Sequence, residues 1–213
     1  MKLPEHNSIS AHPAQRGLAP LPIQIILASS SPYRKELLHR LGMPFSVIAP
    51  QADETPMPGE SAEELVARLA GVKAHVIALQ HPHALIIGSD QVAVLEGEII
   101  GKPGDHHAAV QQLTKASGKR MEFLTGLCLL NSATHRMQVD VIPFSVVFRV
   151  LSAAQIERYL RHEQPYNCAG SFKSEGLGIA LFDKLEGDDP TALVGLPLIS
   201  LVRMLEQENM HVI

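Results

Sequence analysis

The chain has 213 residues, 46% of them hydrophobic, so it can bury one sizeable core but is too short for two domains of typical size. Its net charge of -4 argues against a protein that lives on DNA or RNA, because such proteins carry a basic surplus. No apolar run reaches the roughly 20 residues that cross a bilayer. The two cysteines have no CxxC partner, which is typical of a reducing compartment, and we therefore expect a cytoplasmic protein.

The sequence predicts a mobile N-terminal extension over residues 1-20 and a single domain over residues 21-213. Prolines and a glycine interrupt the extension, and it lacks the continuous apolar core of a secretory signal. The remaining chain contains no Pro- or Ser-rich linker and no internal repeat.

The first predicted elements form a strand followed by a helix. Residues 23-28 are a short apolar run typical of a buried strand, and they lead into residues 29-32, where Ser31 can cap a helix and a proline suits its first turn. Small residues between a strand and a helix N-terminus favour anion binding, because unpaired N–H groups point at the ligand.

After a short strand at 45-48, a long helix is predicted to begin at a capping box, in which Glu64 stands three residues after Ser61. Lys73 lies on this helix. The next apolar run, 84-88, reads as a strand that delivers residues 89-91 at its end, and a hairpin follows.

The second half of the chain continues the alternation of helices and strands. The predicted elements are a helix capped by Asp105, strands at about 120-130 and 137-150, a helix opened by Ser152, a glycine-rich loop at 169-178, a strand at 179-182 and a last helix around 198-205. This order predicts an α/β protein with a mixed sheet.

Polar residues with chemical potential occupy loops and strand ends, where α/β proteins bind ligands. The Ser29 hydroxyl and the Arg34 guanidinium are suited to phosphate. The carboxylates of Glu54 and Asp90 can bind Mg²⁺ or Mn²⁺, or one of them can activate a water. Taken singly, each feature is better explained by an ordinary turn or helix cap.

Lysines supply the complementary charge. Lys73 and Lys102, the latter between a glycine and a proline, could neutralise charge on a phosphate leaving group. Lys173 and Glu175 bring one charge of each sign to the glycine-rich loop. A solvated lysine or a surface loop is the alternative for each.

In their order along the chain, these segments closely resemble the Maf family of nucleotide pyrophosphatases. The matching segments are 27-34, 53-55, 73-74, 88-91, 101-103 and 171-176. The resemblance spans about residues 23-205 and implies an elongated, twisted, mixed β-sheet flanked by helices, with a cleft between two lobes. It also implies hydrolysis of a nucleoside triphosphate between its α and β phosphates, dependent on Mg²⁺ or Mn²⁺ and often carried out by a homodimer.

The same resemblance implies roles for individual residues. Asp90 would be the proton acceptor that activates water, and Glu54 would join it in binding the metal. The residues that would hold the triphosphate are Ser29, Arg34, Lys73 and Lys102.

Two departures from the commoner family pattern resemble the subfamily that acts on 7-methyl-GTP. Tyr33 stands where many members have a second arginine, and Lys173 and Glu175 flank a serine where many have a glutamine. Methylation at N7 makes guanine cationic, so Tyr33 could stack on the base while Glu175 compensates its charge. Gln91, next to Asp90, would help to shape the base pocket.

Two alternatives stay open at this point. The chain could be a pyrophosphatase for dTTP, UTP or another non-standard nucleotide, or a nucleotide sensor that restrains septum formation and cell division. Retention of Asp90, Lys73 and Lys102 favours catalysis, because a sensor needs no base beside the scissile bond.

Overall fold

The computed structural model describes residues 23–213, so the predicted extension at 1-20 lies outside the described residues. The strands are β1 (Gln24–Ala28), β2 (Ser46–Ile48), β3 (Ala84–Leu95), β4 (Glu98–Ile100), β5 (Arg120–Asn131), β6 (Arg136–Phe148) and β7 (Phe182–Glu186). The helices are α1 (Pro32–His39), α2 (Ala62–Ala78), α3 (His106–Ala116), α4 (Ala153–Glu163) and α5 (Leu198–Glu206). Short 3₁₀ turns occur at Ala169–Ser171, Leu177–Leu181 and Ala192–Val194. Within residues 23–213, none of the helices has the length and apolar character needed to cross a membrane.

The strands form one seven-stranded mixed sheet in the order β2-β1-β3-β5-β6-β7, with β4 paired to β3. Strand β1 runs parallel to β2 and β3, and all other pairs are antiparallel. The predicted α/β class with a mixed sheet is therefore confirmed.

Helix α2 lies unusually close to the sheet because two strand residues opposite it are glycines. A Cβ at Gly88 would stand 2.1 Å from the carbonyl oxygen of Ala70, and one at Gly126 would stand 2.1 Å from that of Val66. Any side chain at either position would push the helix outward. The two glycines thus set the height of α2, and of Lys73 on its buried face, above β3 and β5.

A cluster of four aromatic rings joins the glycine-rich loop to the sheet. Phe172 packs edge-to-face on Phe123, Phe148 and Phe182, with ring centroids 5.3, 5.7 and 4.8 Å away. Such contacts contribute about 0.5–1.5 kcal/mol each beyond burial. They anchor the start of the loop that carries Lys173.

The predicted helix caps are confirmed. Ser61 and Glu64 form the reciprocal capping box of α2, and Ser31 and Asp105 accept backbone N–H bonds at the starts of α1 and α3. Ser152 and Gln155 form a second capping box, at α4. Each cap satisfies N–H groups that a helix leaves without an intrahelical partner.

Two predicted strand boundaries are wrong. The strand expected to end at residue 88 continues to Leu95, because β5 pairs with it from Leu85 to Val94. The strand expected at 179-182 is instead a 3₁₀ turn followed by β7. The Gly178 N–H donates to the Lys173 carbonyl at 3.1 Å, and this bond folds the segment back on itself.

Candidate active site

The candidate site lies where β1 leaves the sheet. Strand β1 pairs with β3 only as far as Gly88, and β4 joins the same edge of β3 only at Ala93. The intervening residues 89–92 therefore border an opening at the carboxyl end of β1, the position at which open α/β sheets bind ligands. A cavity of about 620 Å³ occupies this opening.

All the residues that the sequence placed in the site line this one cavity. They are Ser29, Tyr33, Arg34, Glu54, Lys73, Asp90, Gln91, Lys102, Lys173 and Glu175. The cavity is large enough for a nucleotide-sized ligand.

Lys73 joins the two candidate metal-binding carboxylates. Its Nζ lies 2.6 Å from Asp90 Oδ1 and 2.9 Å from Glu54 Oε1. The side chains of Lys73 and Asp90 are only 7% and 11% exposed, whereas that of Glu54 is 58% exposed. The ammonium therefore compensates one buried and one exposed carboxylate at the floor of the cleft.

The donor set fits a divalent ion that shares its ligands with a substrate. No group of three or more His, Cys, Asp or Glu residues between 23 and 213 could hold a metal ion alone. Mg²⁺ commonly uses one or two carboxylates plus phosphate oxygens and waters. Glu54 and Asp90, which converge on one ammonium, are suited to that kind of binding.

Arg34 is attached to the cleft wall by backbone carbonyls. Its Nε donates to the Gly195 oxygen at 2.8 Å and its Nη1 to the Ser89 oxygen at 2.8 Å. Burial lowers the pKa of Arg34, while the charges of Asp90 and Glu54 act to raise it. The guanidinium is thus oriented before any ligand arrives, and these two bonds do not use Nη2.

Gln91 is tied to a neighbouring turn through its amide nitrogen. Nε2 donates to the carbonyls of Ala192 at 2.7 Å and Leu193 at 3.2 Å, and it lies 3.0 Å from Thr125 Oγ1. Thr125 Oγ1 itself donates to Ala192 at 2.9 Å. Of the amide group of Gln91, only Oε1 is left for a ligand.

The turn that receives these bonds was missed from the sequence. Buried Asp189 organises it by accepting from the N–H groups of Thr191 at 2.9 Å and Ile199 at 2.8 Å. The Thr191 hydroxyl in turn accepts from the Leu198 N–H at 2.8 Å. The Asp-Pro-Thr sequence at 189-191, with Gly195 close behind it, is a turn signal that could have located this element.

Tyr33 and Cys168 both line the cleft, and their side chains lie close together. Burial, followed by the nearby Cys168, raises the pKa of the Tyr33 phenol to about 12. Burial also raises the pKa of the Cys168 thiol. Both groups are therefore neutral near pH 7, so this cysteine is not poised as a thiolate nucleophile.

The two loop lysines differ in their exposure and in their contacts with other residues. Lys102 is exposed on the segment between β4 and α3. Lys173 donates from Nζ to the Glu163 carbonyl at 3.0 Å and lies 3.4 Å from Glu163 Oε1. The Lys173 ammonium is thus held by α4, although its side chain also lines the cleft.

The mixed sheet and its charged cleft define an α/β protein with a cleft at the end of a strand that is suited to a phosphorylated small molecule. The sequence profile described as "Maf-like protein" matches residues 24–208, and the chain belongs to the Maf family. The predicted family is therefore confirmed.

Similar proteins extend over most of the chain. A "7-methyl-GTP pyrophosphatase" of Nitrosococcus oceani is 58% identical over 195 residues, which cover 92% of this chain and 98% of that protein. A protein of the same name from Pseudomonas aeruginosa is 57% identical over 188 residues, covering 88% and 98%. The solved Staphylococcus aureus Ham1 protein shares the fold, with a TM-score of 0.50 and 15% identity over 87% of this chain and 99% of that one.

Proposed function

We propose that this protein is a nucleoside triphosphate pyrophosphatase that converts 7-methyl-GTP to 7-methyl-GMP and pyrophosphate. The observation that carries the proposal is the contact of Lys73 with both Asp90 and Glu54 at the floor of a nucleotide-sized cleft. The names of relatives at 57–58% identity support the same reaction. A reducing cytoplasm and a homodimer stay predictions from the sequence.

The phosphate groups would bind where basic side chains meet the start of α1. Ser29 and Arg34 stand on either side of the Ser31 cap, and the first-turn N–H groups favour an anion. Lys73 and Lys102 approach the cleft from α2 and from the segment after β4. Their charges would stabilise the negative charge that develops on the leaving pyrophosphate.

Asp90 is the proposed proton acceptor. Its Oδ1 receives the bond from Lys73, which leaves Oδ2 to take a proton from the attacking water. The bond to Lys73 orients the carboxylate. Because Asp90 belongs to a strand paired on its other side with β5, the base is held rigidly.

A divalent cation would be held by Glu54 and Asp90 together with the phosphates. When bound, Mg²⁺ or Mn²⁺ would polarise phosphoryl oxygens and offset their charge. Glu54 is mostly exposed and can turn from Lys73 to such an ion, because the buried Lys73 ammonium keeps its contact with Asp90.

Tyr33, Glu175 and Gln91 are the proposed readers of the base. A neutral Tyr33 ring can stack on cationic 7-methylguanine, a contact of about 0.5–2 kcal/mol. Glu175 can accept the guanine N–H donors and compensate the added charge. Together they would give about ten- to hundredfold selectivity over GTP.

A competition assay tests the substrate. 7-methyl-GTP, GTP, dTTP, UTP, CTP and ITP are mixed in equal amounts with Mg²⁺ or Mn²⁺, and the decay of each gives relative kcat/KM. We expect 7-methyl-GTP to disappear first. The substitution Glu175→Gln should lower the ratio of kcat/KM for 7-methyl-GTP to that for GTP. Preference for dTTP or UTP would overturn the base assignment, and nucleotide binding without hydrolysis would favour a sensor.

A further inference from the structure

The C-terminal half of α4 holds both ends of the loop that carries Glu175. At one end, the Lys173 N–H donates to the Tyr159 hydroxyl at 3.0 Å and Lys173 Nζ donates to the Glu163 carbonyl at 3.0 Å. At the other end, the Leu177 N–H donates to Glu163 Oε2 at 2.9 Å. Glu163 therefore binds residues on each side of Glu175.

The Glu163 carboxylate is closely fitted to this loop. Its side chain is 16% exposed, and a Cβ at Gly176 would stand 2.8 Å from Oε2. The hydrogen bond from the Leu177 N–H is the main cause of the lowered pKa of Glu163, and the nearby Lys173 lowers this pKa further. The carboxylate is thus ionised and bonded near neutral pH.

Glu175 has little else to orient it. Among residues 23–213, the one hydrogen bond of its carboxylate comes from the adjacent Ser174 hydroxyl, at 3.2 Å. Its side chain enters no ion pair within that part of the chain. The direction of Glu175 therefore depends on the backbone between Lys173 and Leu177, which Glu163 fixes.

We infer that Glu163 is a positioning residue for base selectivity, acting through the 173–178 loop to aim Glu175 at the methylated base. This inference rests on the proposed function and adds a residue to it. Glu163 is not among the residues that line the cleft, so it does not contact a ligand there, and the proposed effect on selectivity passes through the loop.

A double-mutant cycle separates this role from general support of the fold. The ratio of kcat/KM for 7-methyl-GTP to that for GTP is measured in the full-length wild type, Glu163→Ala, Glu175→Gln and the double variant. We expect Glu163→Ala to lower the ratio about five- to tenfold through KM for 7-methyl-GTP, with little change for GTP. Added to Glu175→Gln, it should cause no further loss.

Two more variants keep the test decisive. Glu163→Gln retains an acceptor for the Leu177 N–H and should give an intermediate ratio, including where the alanine variant folds poorly. Glu208→Gln is the matched control, because Glu208 is also well buried and ion-paired, to Arg136 at 3.3 Å, and does not line the cleft. Its ratio should equal that of the wild type.

The outcomes distinguish the two proposals. A wild type without preference for 7-methyl-GTP overturns the substrate assignment and this inference with it. A selective wild type in which Glu175→Gln lowers the ratio, but Glu163→Ala leaves it unchanged or adds an independent loss, overturns only the role of Glu163.

Discussion

Lys73 Nζ and Asp90 Oδ1 lie 2.6 Å apart, with the two side chains only 7% and 11% exposed. Water screens such a pair poorly, so each charge depends on the other for compensation. The same pair would hold the proton acceptor and face the phosphates. Stability and catalysis are thereby linked at one contact between α2 and β3.

Removing the lysine should reveal this link. Lys73→Met should lower the free energy of unfolding by about 3 kcal/mol, because it leaves the Asp90 carboxylate buried without a partner. Adding Asp90→Asn should restore part of that loss in urea unfolding. Lys115→Met, which breaks the exposed pair with Glu98, is the control and should cost less than about 1 kcal/mol. Equal losses for the two lysine variants would contradict the account.

Asp90→Asn by itself should separate catalysis from binding. The amide cannot accept the proton from water, so turnover should fall by about 10² or more while nucleotide affinity changes little. Steady-state kinetics and isothermal titration with 7-methyl-GMP measure the two quantities. Near-normal turnover would remove Asp90 from the role of base.

The distance between α2 and the sheet should affect activity, because it sets the position of Lys73. Gly126→Ala places a methyl group 2.1 Å from the Val66 carbonyl, so the helix must shift and carry Lys73 away from Asp90. We expect a loss of about 1–3 kcal/mol in stability and a lower kcat. Gly71→Ala, on α2 itself, meets only Met137 Sδ at 3.8 Å and should stabilise the helix. Unchanged kcat in Gly126→Ala would argue against this coupling.

An ion pair at the start of α2 should make stability depend on acid. Arg68 donates from Nη2 to Glu60 at 2.8 Å and is the main cause that lowers the pKa of Glu60 from 4.5 to about 2. A lowered pKa gives stability that is present above pH 4.5 and is lost as the pH falls toward about 2.

Urea unfolding of the wild type and Glu60→Gln checks this window. The difference between them should be largest above about pH 5 and should vanish near about pH 2. Arg68→Gln should remove the same difference. If the difference in free energy of unfolding between wild type and Glu60→Gln does not change with pH, the prediction is wrong.

Local features of the fold followed from the sequence because neighbouring residues determine them. The capping box of Ser61 and Glu64 joins residues only three positions apart, and its formation needs no tertiary contact. The strand carrying Asp90 was cut short because its polar residues resemble a strand end. Pairing with β5, whose Gly126 lies opposite Asp90, extends it.

The resemblance to the Maf family predicted which residues line the cleft. It did not predict the hydrogen bonds that hold those residues in place. Arg34 reaches the Gly195 carbonyl, 161 positions away, and Gln91 reaches that of Ala192, 101 positions away. These bonds end on backbone oxygens, which every residue has, so side-chain identity carries no signal of them. For the same reason the sequence did not show that the Lys173 ammonium is bonded to the Glu163 carbonyl.

The most direct test of the central claim is the identity of the products from 7-methyl-GTP. Purified protein is incubated with the nucleotide and Mg²⁺ or Mn²⁺, and the products are resolved by anion-exchange chromatography. We predict 7-methyl-GMP and pyrophosphate in equal amounts, with Asp90→Asn nearly inactive. Release of 7-methyl-GDP and phosphate, or no hydrolysis by the wild type, would contradict the account.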